Sequence, residues 1–356
     1  MTEQHREEVL DGLKEIFAGR VRRPSPRDGS STDGVPASAL ASVQPYDAEE
    51  VGRLAMLAAR HSVPLVAFGA GTGFGPQPPE GGIVVRFDLM RAVRSPDPDE
   101  PWIEAEPGAT WLELEDVLRP RGWGLAVYPT SAPRATVGGW LARDGLGVGS
   151  FEHGWLRENV VSASVVMGDG ERREVSGEEL GSFFVSASSG GIIVGAKLGT
   201  RRADTDVPYA ASFADAKSLA GAVAGVLDAR LPLWHLALLN PAMARARASA
   251  DAHLLFGAYP REREARVAGP LREVVESYDG RVLDAADAYR LWSERFFPVD
   301  PSHPTPEPTD RVLAPVGDLP GVLDRLSRGA VQGTVARSGE VLLLALDEVH
   351  REDRSL

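Results

Sequence analysis

The sequence predicts an α+β fold in two parts, and three observations predict it. The chain has 356 residues, more than twice the ~150 of a typical domain. Short apolar strand patterns alternate with helix patterns along most of its length. After Arg201-Arg202-Ala203-Asp204 the texture changes from glycine-punctuated segments to two β-α-β passes. With 25% charged and 43% hydrophobic residues, both parts have the composition of globular protein.

The elements follow in order. Val9, Leu10, Leu13, Ile16 and Phe17 repeat at helical spacing and make an apolar stripe that docks on the protein's own core. Residues 22–37 are rich in Pro, Gly and Ser and read as a linker, so 1–37 forms an N-terminal helix and linker. Asp47 caps a helix from Ala48 to about Arg60, and Thr110 caps another from Trp111 to Leu118. Strands are expected at Val63–Phe68, Gly82–Asp88, Trp102–Glu106, Val160–Met167 and Ile192–Leu198, with a hairpin turn at Gly168-Asp169-Gly170. The second part reads as strand at Val207–Phe213, helix at Asp215–Ala229, and strands at Leu233–Leu239 and His253–Tyr259. A helix over Arg261–Tyr278, short strands at Val282-Leu283 and Val312-Leu313, and a helix near Leu319–Leu326 follow. A hairpin over Val331–Leu346 turns at Ser338-Gly339. Two such passes suggest a smaller ferredoxin-like α+β sheet covered by helices. Five prolines within Pro298–Pro308 require an extended loop.

Composition removes several function classes. The net charge of −13 argues against a nucleic-acid binder, which needs a basic face. Zero cysteines exclude disulfides, thiolate metal sites, iron–sulfur clusters and cysteine nucleophiles. The seven histidines form no metal-spaced pair along the chain, so no metal is expected. No stretch approaches the ~20 apolar residues of a membrane helix, and the first 20 residues lack a signal-peptide core. A cytoplasmic location is the expectation.

Four glycine-rich runs carry the chemistry. Phe68-Gly69-Ala70-Gly71-Thr72-Gly73 follows a strand, and alternating glycines can turn several N–H groups toward one anion. It lacks the sixth-position glycine of a dinucleotide fingerprint, and a plain tight turn explains it equally well on its own. Pro129-Thr130-Ser131 through Thr136-Val137-Gly138-Gly139 combines rigid prolines, hydroxyls and a glycine pair. Gly145-Leu146-Gly147-Val148-Gly149-Ser150 and Ser188-Ser189-Gly190-Gly191-Ile192 complete the set. Four clusters at strand edges point to backbone wrapped around one polyphosphate ligand.

The order of these runs, with Glu106-Pro107-Gly108-Ala109 and Val165-Val166-Met167-Gly168-Asp169-Gly170 among them, resembles the FAD-binding (PCMH-type) domain of the vanillyl-alcohol oxidase and p-cresol methylhydroxylase flavoproteins. Within that family it is most similar to the glycolate oxidase and D-lactate dehydrogenase branch. The resemblance implies an FAD-binding domain over 38–204 and a shortened substrate or cap domain over 205–356. It implies that Gly69, Ala70, Gly71, Thr72 and Gly73 hold the pyrophosphate. Pro129, Thr130, Ser131, Thr136, Gly138, Gly139, Gly149 and Ser150 would contact the flavin and its ribityl chain, and Ile192 the adenosine end. With no cysteine and no histidine in the first loop, non-covalent FAD is expected.

Trp292-Ser293-Glu294-Arg295 resembles the Trp-x-x-Arg segment of glycolate oxidase relatives, in which the arginine clamps a substrate carboxylate. An arginine whose stem packs on Trp292 and the neighbouring phenylalanines fits the same residues. His153 stands where relatives carry Tyr in a Tyr-Gly pair, and is the candidate general base. Lone strand histidines such as His235 and His253 read as packed. The C-terminal His-Gly-Asp-Gly-Asn-x-His segment of full-length relatives has no counterpart. The expected activity is FAD-dependent oxidation of a small 2-hydroxy acid, glycolate or D-lactate in type, with a quinone, oxygen or a partner subunit taking the electrons. The alternative is a non-catalytic or electron-transfer subunit of a glycolate oxidase-like complex.

Overall fold

The structure is a computed structural model that describes residues 2–23, 38–72, 80–94, 100–185, 191–203, 205–248, 250–297 and 308–346. Most of the 22–37 linker, Gly73, Ser188 to Gly190, Asp204 and nearly all of the Pro298–Pro308 loop lie outside the described residues. The chain divides into two compact units. One comprises Met1–Arg121, Ala132–Asp144 and Val160–Thr200; the other comprises Gly122–Ser131, Gly145–Asn159 and Arg201–Leu356.

The first unit begins with the helix Glu3–Phe17, whose Val9, Leu10, Leu13 and Phe17 are fully buried, as the stripe predicts. They join Val51, Leu54, Ile83 and Val85 in one core. The helix Ala48–His61 starts where expected, with the Asp47 carboxylate accepting from the Glu50 N–H. Its neighbour closes in because Gly12 has no side chain: a Cβ there would lie 2.8 Å from Leu57 Cδ1. Arg20 donates two 2.6 Å bonds to the Glu50 carboxylate and stacks 3.9 Å from the Tyr46 ring centre. Those bonds hold the Glu50 carboxyl below its usual range. The Ala48–His61 helix supplies the crossover that parallel strands need. Ala41–Val43 and Leu65–Phe68 accordingly both run parallel to Ile83–Arg86, between them in the sheet. A second, antiparallel sheet orders Val93–Arg94, Trp102–Ala105, Ile192–Arg202, Val160–Val166 and Arg172–Ser176. Thr110 and Glu113 form a reciprocal capping box at the start of Trp111–Leu118.

The second unit is built on seven antiparallel strands, more than a four-stranded ferredoxin-like sheet. The order is Arg281–Val282, Asp206–Phe213, His253–Pro260, His235–Leu239, Ala330–Val335, Glu340–Leu346, Asp310–Pro315. One face carries Leu236, Leu238 and Leu255 against Ala216–Asp228, Glu264–Ser277 and Leu319–Arg325. The other carries Ala237, Leu239 and Phe256 against Pro241–Ala248 and Ala285–Ser293. The run Leu233–Leu239, apolar except at His235, thus reflects a strand covered on both sides. Those last two helices are absent from the sequence reading: each buries only a few small or isolated apolar residues, such as Met243 and Ala244, or Ala288 and Leu291.

Gly108 shows how tightly the first unit closes. A Cβ there would lie 1.9 Å from the Phe87 carbonyl oxygen. Gly108→Ala should therefore cost ~2 kcal/mol or more in urea unfolding, as overpacked cores do. An unchanged midpoint would show that the Phe87 turn yields freely.

Candidate functional site

In the first unit three of the sequence motifs meet. Thr136 caps the short helix Val137–Leu141, its hydroxyl accepting from the Gly139 N–H at 3.3 Å. A Cβ on Gly69 would lie 2.7 Å from that Thr136 hydroxyl and 3.3 Å from Gly139 Cα, so the first glycine loop and the Gly138-Gly139 pair touch through backbone alone. The Gly138 N–H donates to the Pro107 carbonyl at 2.9 Å, and the Val137 N–H to that of Ala109 at 2.8 Å. Trp111 Nε1 donates to the Thr136 carbonyl at 3.2 Å and locks the turn from beneath. The backbone turns left-handed at Gly71, with φ +67°. The N–H groups of Ala70, Gly71 and Thr72 have no acceptor among the described residues, and these residues are at least partly open to solvent. A run of free amides beside a glycine bend is the donor set a phosphate needs, so the loop fits a pyrophosphate. Ile192 opens its strand opposite Val166, half-buried against the unit's core.

In the second unit the Pro129-Thr130-Ser131 run is anchored at both sides. Tyr128 exchanges backbone bonds of 3.1 and 2.7 Å with Val148, and the Thr130 carbonyl accepts from Phe297 N–H at 2.8 Å. The hydroxyls of Thr130 and Ser131 bond to no described residue. Gly149 sits at φ +93°, where a Cβ would lie 2.0 Å from the Ala126 carbonyl oxygen. Its N–H donates to His235 Nδ1 at 3.3 Å. Ser150 is fully buried and its hydroxyl accepts from Gly147 N–H at 2.9 Å.

Arg295 lies on a floor of aromatic rings. Its guanidinium is 4.6 Å from the Trp292 ring centre and 4.4 Å from that of Phe296. Nε donates to the Tyr128 hydroxyl at 3.0 Å, and one Nη to the Trp292 carbonyl at 2.9 Å. The backbone carbonyl of Arg295 accepts from Gln332 Nε2 at 2.9 Å. The stem-on-aromatics reading therefore describes its packing. Among the described residues, however, no carboxylate pairs with this cation.

His153 lies elsewhere in the same unit. Its Nε2 is buried without a hydrogen-bond partner among the described residues, 3.7 Å from Glu152, whose carboxylate is taken by Arg263 at 2.8 Å. Burial lowers the affinity of the ring for a proton; Glu152 opposes this, while Arg201, Arg263 and Arg337 reinforce it. His153 and Arg295 share no hydrogen bond, ion pair or ring contact among the described residues.

Beside Arg295 the structure instead puts His235, its ring centre 5.8 Å from that of Trp292. His235 packs, as its lone strand position suggests, but it also orients Gly149. Because Nδ1 accepts, the ring proton sits on Nε2, which is buried with no partner among the described residues. Tyr128 and Gln332 are polar residues the sequence reading leaves out, and it reads His235 only as packed. Only Tyr128, next to Pro129-Thr130-Ser131, carried a local signal.

Burial, and then the charge of Arg295, push the His235 proton affinity down to about 3 from its ordinary 6.5. A depressed value means that the unfolded chain takes up the proton first. The stability due to neutral His235 is complete above pH 6.5 and falls away as pH drops toward 3. Between pH 7 and 4.5 this amounts to about 2–3 kcal/mol. Urea unfolding of His235→Gln should lose correspondingly less stability than wild type over that interval. Parallel pH curves would mean that His235 does not carry the effect.

The chain is similar to several known proteins. Residues 39–176 match a family model described as an FAD binding domain. A probable mitochondrial D-lactate dehydrogenase from Danio rerio is 28% identical over 219 residues, covering 57% of this chain and 44% of that protein. The glycolate oxidase subunit GlcD from Bacillus subtilis (strain 168) is 26% identical over 155 residues, or 41% of this chain and 33% of that protein. The matched stretch is therefore less than half the length of either relative. Solved p-cresol methylhydroxylase with substrate bound superposes with a TM-score of 0.77 at 14% identity, over 98% of this chain and 84% of that one. Residues 39–176 thus match an FAD binding domain, and the chain shares the fold of solved p-cresol methylhydroxylase.

Proposed function

We propose that the protein is an FAD-dependent oxidoreductase that oxidises a small 2-hydroxy acid of the glycolate or D-lactate type. The observation that carries the substrate class is Arg295, a cation fixed by Tyr128, Trp292 and Phe296 with no carboxylate partner among the described residues. A planar guanidinium offers two parallel donors to a carboxylate. The names of the two relatives, a D-lactate dehydrogenase and a glycolate oxidase subunit, support the same class.

FAD, when bound, would supply the hydride acceptor for oxidation of the substrate carbon. The free amides of Ala70, Gly71 and Thr72 would hold its pyrophosphate, and Gly69 and Gly73 would shape that loop. Pro129, Thr130, Ser131, Thr136, Gly138, Gly139, Gly149 and Ser150 are the proposed flavin and ribityl contacts, and Ile192 the adenosine contact. Binding would be non-covalent. His153, kept unprotonated near neutral pH by burial and three arginines, is the proposed acceptor of the hydroxyl proton. A quinone, oxygen or a partner subunit would take the electrons.

The purified protein should be yellow, and anaerobic D-lactate or glycolate should bleach it. A colourless protein that takes up no added FAD would overturn the flavin reading; a yellow one that neither acid bleaches would favour the electron-transfer subunit. Arg295→Met should keep FAD and slow bleaching by about two orders of magnitude, the effect of losing a charged bond worth about 3 kcal/mol. Unchanged bleaching would remove Arg295 from the site. Gly69→Val should weaken FAD binding at least about tenfold by fluorescence titration, since its Cβ would meet Thr136. Wild-type affinity in that variant would exclude the loop as the pyrophosphate holder.

A further inference from the structure

We infer that the first unit carries a divalent transition-metal site made by His5, Glu8 and His61, of a kind that takes Zn²⁺. One ligand atom from each of the three residues lies within 4.8 Å of the others, in the one such group of donors among the described residues. The histidines are 56 positions apart, so nothing in their spacing along the chain announces the site.

Helix packing creates it. Where Gly12 admits Leu57 the helices Glu3–Phe17 and Ala48–His61 touch, and further along the same contact His5 meets His61. Glu8 stands three positions after His5, one turn on along the same helix face. The two imidazoles are 5.0 Å apart, centre to centre, and inclined at 58°.

One hydrogen bond fixes the His5 tautomer and another engages Glu8. His5 Nε2 lies 3.1 Å from the His61 backbone oxygen. A carbonyl only accepts, so Nε2 carries the ring proton and the lone pair is left on Nδ1. Metal-binding imidazoles are commonly held by this kind of bond from their second nitrogen to a backbone carbonyl. Gln4 Nε2 donates to one Glu8 carboxylate oxygen at 3.3 Å and leaves the other to a metal. The His61 carbonyl belongs to the last turn of its helix, the negative end of the helix dipole, which favours a cation there.

The donor set selects the ion. Two imidazoles and one carboxylate suit Zn²⁺, Ni²⁺ or Cu²⁺, while Ca²⁺ and Mg²⁺ require oxygen ligands. Bonds of ~2.0–2.1 Å in a tetrahedron put ligand atoms ~3.4 Å apart, with water in the fourth position. Side chains that are exposed or only half-buried can close the remaining distance by small rotations. The bound ion would staple the N-terminal helix to its neighbour, at the end of the helix pair opposite the Arg20–Glu50 bond. The inference takes nothing from the proposed reaction.

The test uses full-length protein without a polyhistidine tag, stripped with EDTA and titrated with Zn²⁺ in a calorimeter. About one equivalent should bind with micromolar affinity, and Mg²⁺ should give no heat. His5→Ala and His61→Ala should each weaken binding at least about tenfold, and Glu8→Gln a few-fold. Hydrogen exchange over residues 3–17 should slow with Zn²⁺ in wild type and not in the two histidine variants. Should an alanine variant fail to fold by circular dichroism, His5→Asn and His61→Asn replace it. No saturable binding up to about 100 μM Zn²⁺, or full binding by a folded double variant, would overturn the site.

Discussion

Backbone pressed against backbone is the constraint on which the first unit's binding edge depends. Gly69 meets Thr136 and Gly139, Gly138 meets Pro107, and Gly108 meets Phe87, each so closely that an added Cβ would come within 2.7 Å of another atom. Loops joined this way have few side chains at the contact, so whatever they bind is met by amides and hydroxyls. That suits a phosphate, which asks for several converging N–H donors. It also fits a chain with no cysteine to offer a thiol. The second unit uses the device again: a Cβ would fall 2.1 Å from the Tyr128 carbonyl oxygen at Gly147, and 2.0 Å from that of Ala126 at Gly149.

The double-sided sheet of the second unit makes such closeness sustainable. His235–Leu239 is buried along its whole length, its alternate residues entering separate helix-covered cores. A strand packed on both faces cannot slip by one residue without exchanging its faces. Trp234, just before it, is fully buried and donates from Nε1 to the Ala126 carbonyl at 3.1 Å. The rigid strand therefore sets both the tryptophan that braces the Ala126 turn and the histidine that braces Gly149.

Local signals were legible in the sequence, and distant ones were not. Asp47 and Thr110 cap the helices expected of them because a cap is decided within four residues. The glycine runs around Gly69 and Gly138 read as binding loops because backbone geometry writes itself into composition. By contrast, Gly149 and His235 are 86 positions apart, and Arg295 and Tyr128 are 167 apart. Spacing rules cannot see such pairs. The reading of His235 as a packed histidine is true of its burial and silent on its partner. Pro241–Ala248 escaped notice because its alternating alanines and arginines carry almost no helical stripe; tertiary contact, not pattern, makes it a helix.

Two buried or half-buried arginines of the second unit show why Arg295 stands out. Arg201 is neutralised by two bonds to Asp206, of 3.0 and 2.7 Å, and lies 3.4 Å from the Trp234 ring centre. A buried cation with such a partner is a structural element. Arg295 has the aromatic floor but, among the described residues, no carboxylate. Stacking and two neutral acceptors offset only part of what it loses by leaving water. Burial, and then the charge of Arg295, keep the nearby His235 neutral. Arg247 is a further cation of this segment: its guanidinium donates to the Glu294 and Phe296 carbonyls, and burial lowers its proton affinity to about 10. Arg295, with no carboxylate paired to it among the described residues, is on this ground the residue proposed to receive an anion.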